Sequence, residues 1–206
     1  MKERAMMRQG TSRRDFLKGV AIGSASVALA GIQPARAGAV PADKRYLSVS
    51  PSEMNSLDPA DHMDVGRAPG RLNFFDGLLR WRDNPPKLHP WVAESYEGGA
   101  DCKTWRFKIR QGIKFHDGSD LTADEVIYSV ERLLGLGTGA GGVLKPLVAP
   151  GSTKAPDKHT VEFHLKKGFA PFPGLTHFLH ILNPRVLKRY EKDGDWGNKW
   201  LAKNGS

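Results

Sequence analysis

Between Trp105 and Arg110 apolar and charged residues alternate, with Trp105, Phe107 and Ile109 on one side and Arg106, Lys108 and Arg110 on the other. A period of two belongs to a strand with one buried face. Gln111-Gly112 interrupts it, and Ile113 and Phe115 resume the alternation, which predicts a second short strand or an extended arm. Asp117-Gly118 marks a turn, since glycine supplies the positive φ that a tight turn needs. The period then lengthens. Val126, Ile127, Val130, Leu133 and Leu134 recur at helical spacing. Thr122 and Glu125 have the spacing of a capping box, and Asp124 and Glu125 suit the positive end of the helix dipole. Gly135 is expected to end the helix. This stretch holds no nucleophile, metal cluster or phosphate loop.

The same reading extends along the chain. Thr160–Leu165 predicts a strand with Val161, Phe163 and Leu165 inward and Glu162, His164 and Lys166 outward, after a turn at Ala155-Pro156-Asp157-Lys158. Pro69 to Leu79 reads as a helix with Leu72, Phe75, Leu78 and Leu79 on one side, and Leu175, Phe178, Leu179 and Leu182 suggest a short apolar helix. Asn183-Pro184 is a cap and first-turn proline opening a helix through Val186, Leu187 and Tyr190. Tyr46–Ser50 is a short strand, and Leu57-Asp58-Pro59 begins a turn. Gly135–Gly142 contains a formal G-x-G-x-x-G, but a dinucleotide fingerprint follows a strand and opens a helix. This one follows a helix, so it reads as a flexible connection. Gly194–Ser206 is polar and glycine-rich, with no element after it.

Charge and composition change the picture at one end. The chain of 206 residues carries a net charge of +9, and residues 1–37 hold seven of its basic residues against Glu3 and Asp15, so +5 belongs to that segment. There Arg13-Arg14 precedes Asp15-Phe16-Leu17-Lys18, a twin-arginine motif. A run of Gly, Ala and Ser from Gly19 to Ile32 is too small-residued for a stable membrane span, and Ala35-Arg36-Ala37 is a cleavage signal that would leave Gly38 as the mature start. The order predicts export of a folded protein to the periplasm through the twin-arginine machinery. With no cysteine near the cleavage site, a soluble protein without a lipid anchor is expected. The remaining basic residues read as a solvated surface. Phe74, Phe75, Trp81, Trp91 and Tyr96, beside Arg80 and Arg82, read as core packing, and nucleic acid is not an expected partner. Cys102 is alone, so no internal disulfide forms. His177 and His180 could hold a metal only with further ligands, which the sequence does not show, and no cofactor or metal is expected.

FKIRQGIKFHDGSDLTADEVIYSVERL resembles the most recognisable segment of the bacterial extracellular solute-binding proteins of family five, the peptide- and nickel-type binding components of ABC importers. Further echoes are Leu57-Asp58-Pro59, the run from Phe75 to Tyr96, the Thr160–Leu165 strand and Phe169-Ala170-Pro171-Phe172. The resemblance implies an α/β periplasmic binding-protein fold of the peptide-binding type, two-lobed when complete. Residues 38–70 would start lobe one, 71–182 form an extra mixed subdomain, and 183–206 return to lobe one. It covers about residues 45–206 and only the first part of a member, so the sequence reads as a fragment whose second lobe is missing. It implies capture of a small solute, foremost a di- or oligopeptide, by hinge closure and delivery to an inner-membrane ABC permease, without catalysis. Nickel or another metal complex, an opine or a sugar stay open as solutes. It makes Asp61, His62, Met63, Asp64 and Val65 the candidates for the ligand site; an exposed polar loop is the competing reading. Two other functions stay open: an exported cofactor- or metal-binding enzyme, and a truncated piece that acts only as a structural module or not at all.

Replacing both Arg13 and Arg14 by Lys is expected to hold the uncut precursor in the cytoplasmic fraction. The native chain should be recovered from the periplasm with Gly38 at its N-terminus. Fractionation with immunoblotting and N-terminal sequencing checks both.

Overall fold

The computed structural model describes residues 56–63 and 68–204. The Tyr46–Ser50 strand, Arg13, Arg14, the cleavage site after Ala37, and Asp64 and Val65 lie outside the described residues. The chain runs through α1 (Ala68–Phe74), β1 (Leu79–Arg82), β2 (Lys87–Pro90), β3 (Ala93–Gly98), β4 (Thr104–Ile109), α2 (Ala123–Leu136) and α3 (Ala140–Leu144). It continues with β5 (Val148–Asp157), β6 (Thr160–Leu165), α4 (Phe172–Leu175), a 3₁₀ turn (Thr176–Phe178), α5 (Pro184–Tyr190) and α6 (Asn198–Asn204). β1 and β2 form a two-stranded hairpin, and the other strands make a four-stranded sheet in the order β3-β4-β6-β5. All neighbours pair antiparallel.

The alternation in β4 and β6 decides where the core lies. Trp105, Phe107 and Ile109 pack with Val161, Phe163 and Leu165 in one buried cluster that includes Val126, Val130, Leu133 and Leu134 of α2. Phe172 completes it, with ring centroids 5.0 Å from Phe163 and 6.4 Å from Phe107. Tyr96 stacks on Phe107 at 5.8 Å. Each fully buried side chain of this size contributes about 1.5–3 kcal/mol. The opposite face is charged: Arg106 bridges Glu97 and Glu162, and Lys108 meets Glu94. Such exposed pairs add about 0–1 kcal/mol each and mainly keep this face in water.

The predicted cap is present. Glu125 Oε2 accepts from the Thr122 amide at 2.9 Å, and the Thr122 side chain accepts from the helix amides. The arm before it is a tight hairpin without a regular strand: Leu121 N donates to Ile113 O at 3.0 Å and Phe115 N to Ser119 O at 2.9 Å. Its Asp117 turn docks on the cap of α5. Asn183 Oδ1 accepts from Arg185 N at 2.9 Å while its Nδ2 donates to Asp117 Oδ2 at 2.8 Å.

Several expectations are corrected. The helix expected over Pro69–Leu79 stops at Phe74, and Leu79 begins β1. Gly77 lets the chain press against the carbonyls of Thr176 and His177, and Ala93 N takes the carbonyl of Leu78 at 2.9 Å, which draws the chain into an extended path. α2 runs through Gly135 and ends at Leu136, capped by Gly137 in the left-handed region (φ 68°). Gly135–Gly142 is no flexible connection, because it holds the end of α2 and the start of α3, which folds tightly against α2. Ala155–Asp157 belongs to β5; the turn falls at Lys158-His159. β5 is an edge strand, which is why it tolerates Pro150, Gly151 and Pro156. The apolar helix around Leu175 is only α4 and the 3₁₀ turn, so His177 and His180 share no helix. The polar segment after Gly194 holds α6, anchored by buried Leu201. Of the aromatics assigned to the core, Phe75 is buried, whereas Phe74 is 64% and Trp81 44% exposed. Trp91 lies half-buried under the guanidinium of Arg80, 4.7 Å away.

A Cβ on Gly141 would overlap the carbonyl oxygen of Leu133. Helix propensity favours Ala over Gly by about 1 kcal/mol, but displacing rigid backbone costs about 1–3 kcal/mol. Gly141→Ala is therefore expected to destabilise the chain, read as a lower urea midpoint at unchanged slope.

Candidate functional site

The loop 56–63 carries three of the five residues singled out for ligand contact, and it is fixed from beneath by a buried ion pair. Arg132 of α2 is 1% exposed and Asp58 2%. The two meet side-on, Nη1 to Oδ1 at 3.0 Å and Nη2 to Oδ2. Arg132 Nε donates to the Trp196 carbonyl at 2.9 Å, so the guanidinium also holds the entry to α6. Asp58 uses Oδ1 a second time, accepting from Ala60 N at 2.8 Å, which closes the turn that Asp-Pro begins. Burying a charge pair costs desolvation that only good geometry and further hydrogen bonds offset. Here the further bonds are present.

Asn198, the first residue of α6, extends the network. Its Nδ2 donates to Asp58 Oδ2 at 2.9 Å and to Asp61 Oδ1 at 2.8 Å. Ser56 Oγ donates to the other oxygen of Asp61 at 2.5 Å. Thr138 Oγ1 donates to Ala60 O at 3.1 Å, and Gly139 (φ 47°) lies against the same carbonyl, where a side chain would clash. Segments distant in sequence thus converge on eight residues of loop.

The predicted site residues divide accordingly. Asp61 is half-buried, and its carboxylate is an anchor within the loop network. His62 is half-buried beside it, and Met63 packs on the core. The position of Asp64 and Val65 is not described. His177 and His180 are both buried near Arg71, and burial pushes His180 down to about 3, with Arg71 and His177 adding to the shift. Burial also lowers His177, against a hydrogen bond that its ring donates to the backbone of Leu79. Among the described residues no group of three or more His, Cys, Asp or Glu is gathered to hold a metal ion. Cys102 occupies a left-handed turn (φ 53°). Sequence reasoning missed Asp58, Arg132 and Asn198. Arg132 lies off the apolar stripe of α2, where the sequence pattern places a solvated residue, and nothing local marks it as buried.

The residues 87–205 match the family model described as bacterial extracellular solute-binding proteins, family 5, middle. The chain belongs to the bacterial extracellular solute-binding proteins of family 5. It is 33% identical over 178 residues to the probable D,D-dipeptide-binding periplasmic protein DdpA of Escherichia coli K12, covering 83% of this chain and 33% of that protein. It is 32% identical over 149 residues to the glutathione-binding protein GsiB of the same strain, covering 69% of this chain and 28% of that one. The OppA structure from Burkholderia pseudomallei superposes with a TM-score of 0.60 at 29% identity, over 69% of this chain and 31% of that one. The chain spans about a third of the length of the curated relatives it matches. The periplasmic binding-protein fold expected from the resemblance is thereby present as a part of a domain. No helix among the described residues is long and apolar enough to cross a membrane.

Arg132→Met and Asp58→Asn are each expected to cost about 3–5 kcal/mol, because each strands a buried charge. The double substitution should cost less than the sum by at least about 1 kcal/mol. Urea unfolding of the four chains in a double-mutant cycle checks this.

Proposed function

We propose that this chain is part of the periplasmic substrate-binding component of an ABC importer, and that its solute is a di- or oligopeptide. The match of residues 87–205 to the solute-binding family carries the reading. Two relatives whose names specify a D,D-dipeptide and glutathione support a small peptide-like solute. In this reading residues 38–70 and 183–206 belong to lobe one, and 71–182 form the subdomain beside it. The twin-arginine segment 1–37 directs export.

The loop would act as a fixed wall of the ligand cleft. A binding protein gains specificity when contacts form only in the closed state, so that solute shifts the open–closed equilibrium. A wall held by Asp58, Arg132 and Asn198 loses little entropy when solute arrives, which favours affinity. His62 and Met63, with Asp64 and Val65 after them, would meet the solute, while Asp61 would hold the loop in shape.

The test is uptake of labelled dipeptides, with glutathione and nickel–histidine for comparison, by native cells with and without the gene. Loss of dipeptide uptake, restored by the native gene, is the expected result; unchanged dipeptide uptake would overturn the reading. In complemented cells His62→Ala should lower uptake several-fold while the purified protein still folds cooperatively in a urea titration. Asp61→Ala should instead lower the melting temperature, because two side-chain hydrogen bonds of about 0.5–1.5 kcal/mol each are lost.

A further inference from the structure

Beside the anchored loop lies a buried histidine that no packing argument requires. His180 follows the 3₁₀ turn, is 6% exposed and stands 6.0 Å from the Phe75 ring. Its Nδ1 has no hydrogen-bond partner among the described residues. It lines a small hollow with Pro59 and Ala60 of the loop, Ser129 and Arg132 of α2, and Phe178. A Leu or Phe would fill this place without an unsatisfied polar atom, and a buried polar group left without a partner asks for an explanation beyond packing.

We infer that His180, with His177, is an acid-operated latch between the segment carrying the loop and α1 and the elements it packs against. The neighbouring charges decide its direction. Arg71 faces His180 from α1 and His177 from the 3₁₀ turn, and both oppose a second positive charge. Arg132 faces the hollow from α2, and its charge is matched by Asp58 of the loop. Asp76, the carboxylate just beyond α1, is turned to Trp91 Nε1 at 2.5 Å and to Arg80. A protonated His180 therefore has cations around it and no uncommitted carboxylate among these neighbours. It gains its proton only when the packing opens.

A histidine whose folded-state pKa is depressed keeps its stabilising effect above its unfolded value of 6.5 and loses it as pH falls toward the folded value, about 3. One such group shifts the opening equilibrium up to about tenfold per pH unit across that window. The carboxylates of Asp117, Asp120, Asp157 and Asp195 are held below their usual range by hydrogen bonds and charges, so their titration falls beneath most of it. Three hydrogen bonds report on the latch: Ile181 N to Asp76 O, Leu182 N to Ser129 Oγ and Asp61 N to Asp58 O. That opening would also unload solute rests on the reading of the loop as a ligand wall; the latch itself does not.

The experiment is amide hydrogen exchange on the native chain at pH 6.5 and pH 4.5, corrected for intrinsic rates. Protection of Asp61, Ile181 and Leu182 should fall by ten- to a hundredfold, while Phe107 and Val161 in the β4–β6 ladder keep theirs. His180→Phe should abolish the fall. Protection that stays constant, or a fall that persists in His180→Phe, overturns the proposal. Should that variant not fold, an NMR titration of the native histidine rings decides. A His180 ring neutral down to pH 5 supports the latch, and ordinary titration near 6.5 with protection intact overturns it. Loss of the latch with dipeptide uptake intact leaves the solute-binding reading standing, and the reverse result separates them the other way.

Discussion

The Asp58–Arg132 pair is the constraint on which this half of the molecule depends. It joins the loop 56–63 to the middle of α2, and through the Trp196 carbonyl and Asn198 it joins both to α6. A hydrophobic contact at the same place would hold these elements together but would leave their rotation free. A two-pronged guanidinium–carboxylate contact fixes direction as well as distance. The desolvation it demands is offset by bonds from Ala60, Asn198 and the Trp196 carbonyl. Removing any one of these leaves a buried polar atom unmatched, so the network is demanding about its own geometry.

The core that supports this pair was legible in the sequence because it is built from periodicity. β4, β6 and α2 each repeat at the spacing of their own backbone, and the capping box and the Asn183-Pro184 start mark where helices begin. Those are local signals, set within six or seven residues. The arm between β4 and α2 was legible for the same reason, as Asp117-Gly118 needs only itself to turn.

What the sequence hid was decided across long distances. Gly77, Gly139 and Gly141 are places where another segment's carbonyl comes close, and nothing in the neighbouring residues announces the visitor. The glycine-rich run therefore looked loose, although its small residues are what allow α3 to press on α2. β5 was hidden because its prolines and Gly151 look like turn residues, and only its place at a sheet edge makes them harmless. The candidate site was half legible. The loop could be found from Asp58-Pro59, but Asp58 looked like a turn former and Arg132 like a solvated helix residue. Their pairing spans 74 residues and leaves no local trace.

The placing of polar groups in the interior separates two tasks within one chain. Around β4 and β6 the interior is aromatic and aliphatic, and every charged group there is turned to water, as expected of a scaffold chosen for stability. Around the loop the interior holds Asp58, Arg132, Ser129, His177, His180 and Asn183, all buried. Stability alone would favour replacing these with hydrocarbon. Their concentration on the side that carries the loop argues that this side is specified for shape and for response. Under the proposed reading these are two things that a plain core cannot do: hold one wall of a cleft in a single geometry, and let the wall go when the packing opens.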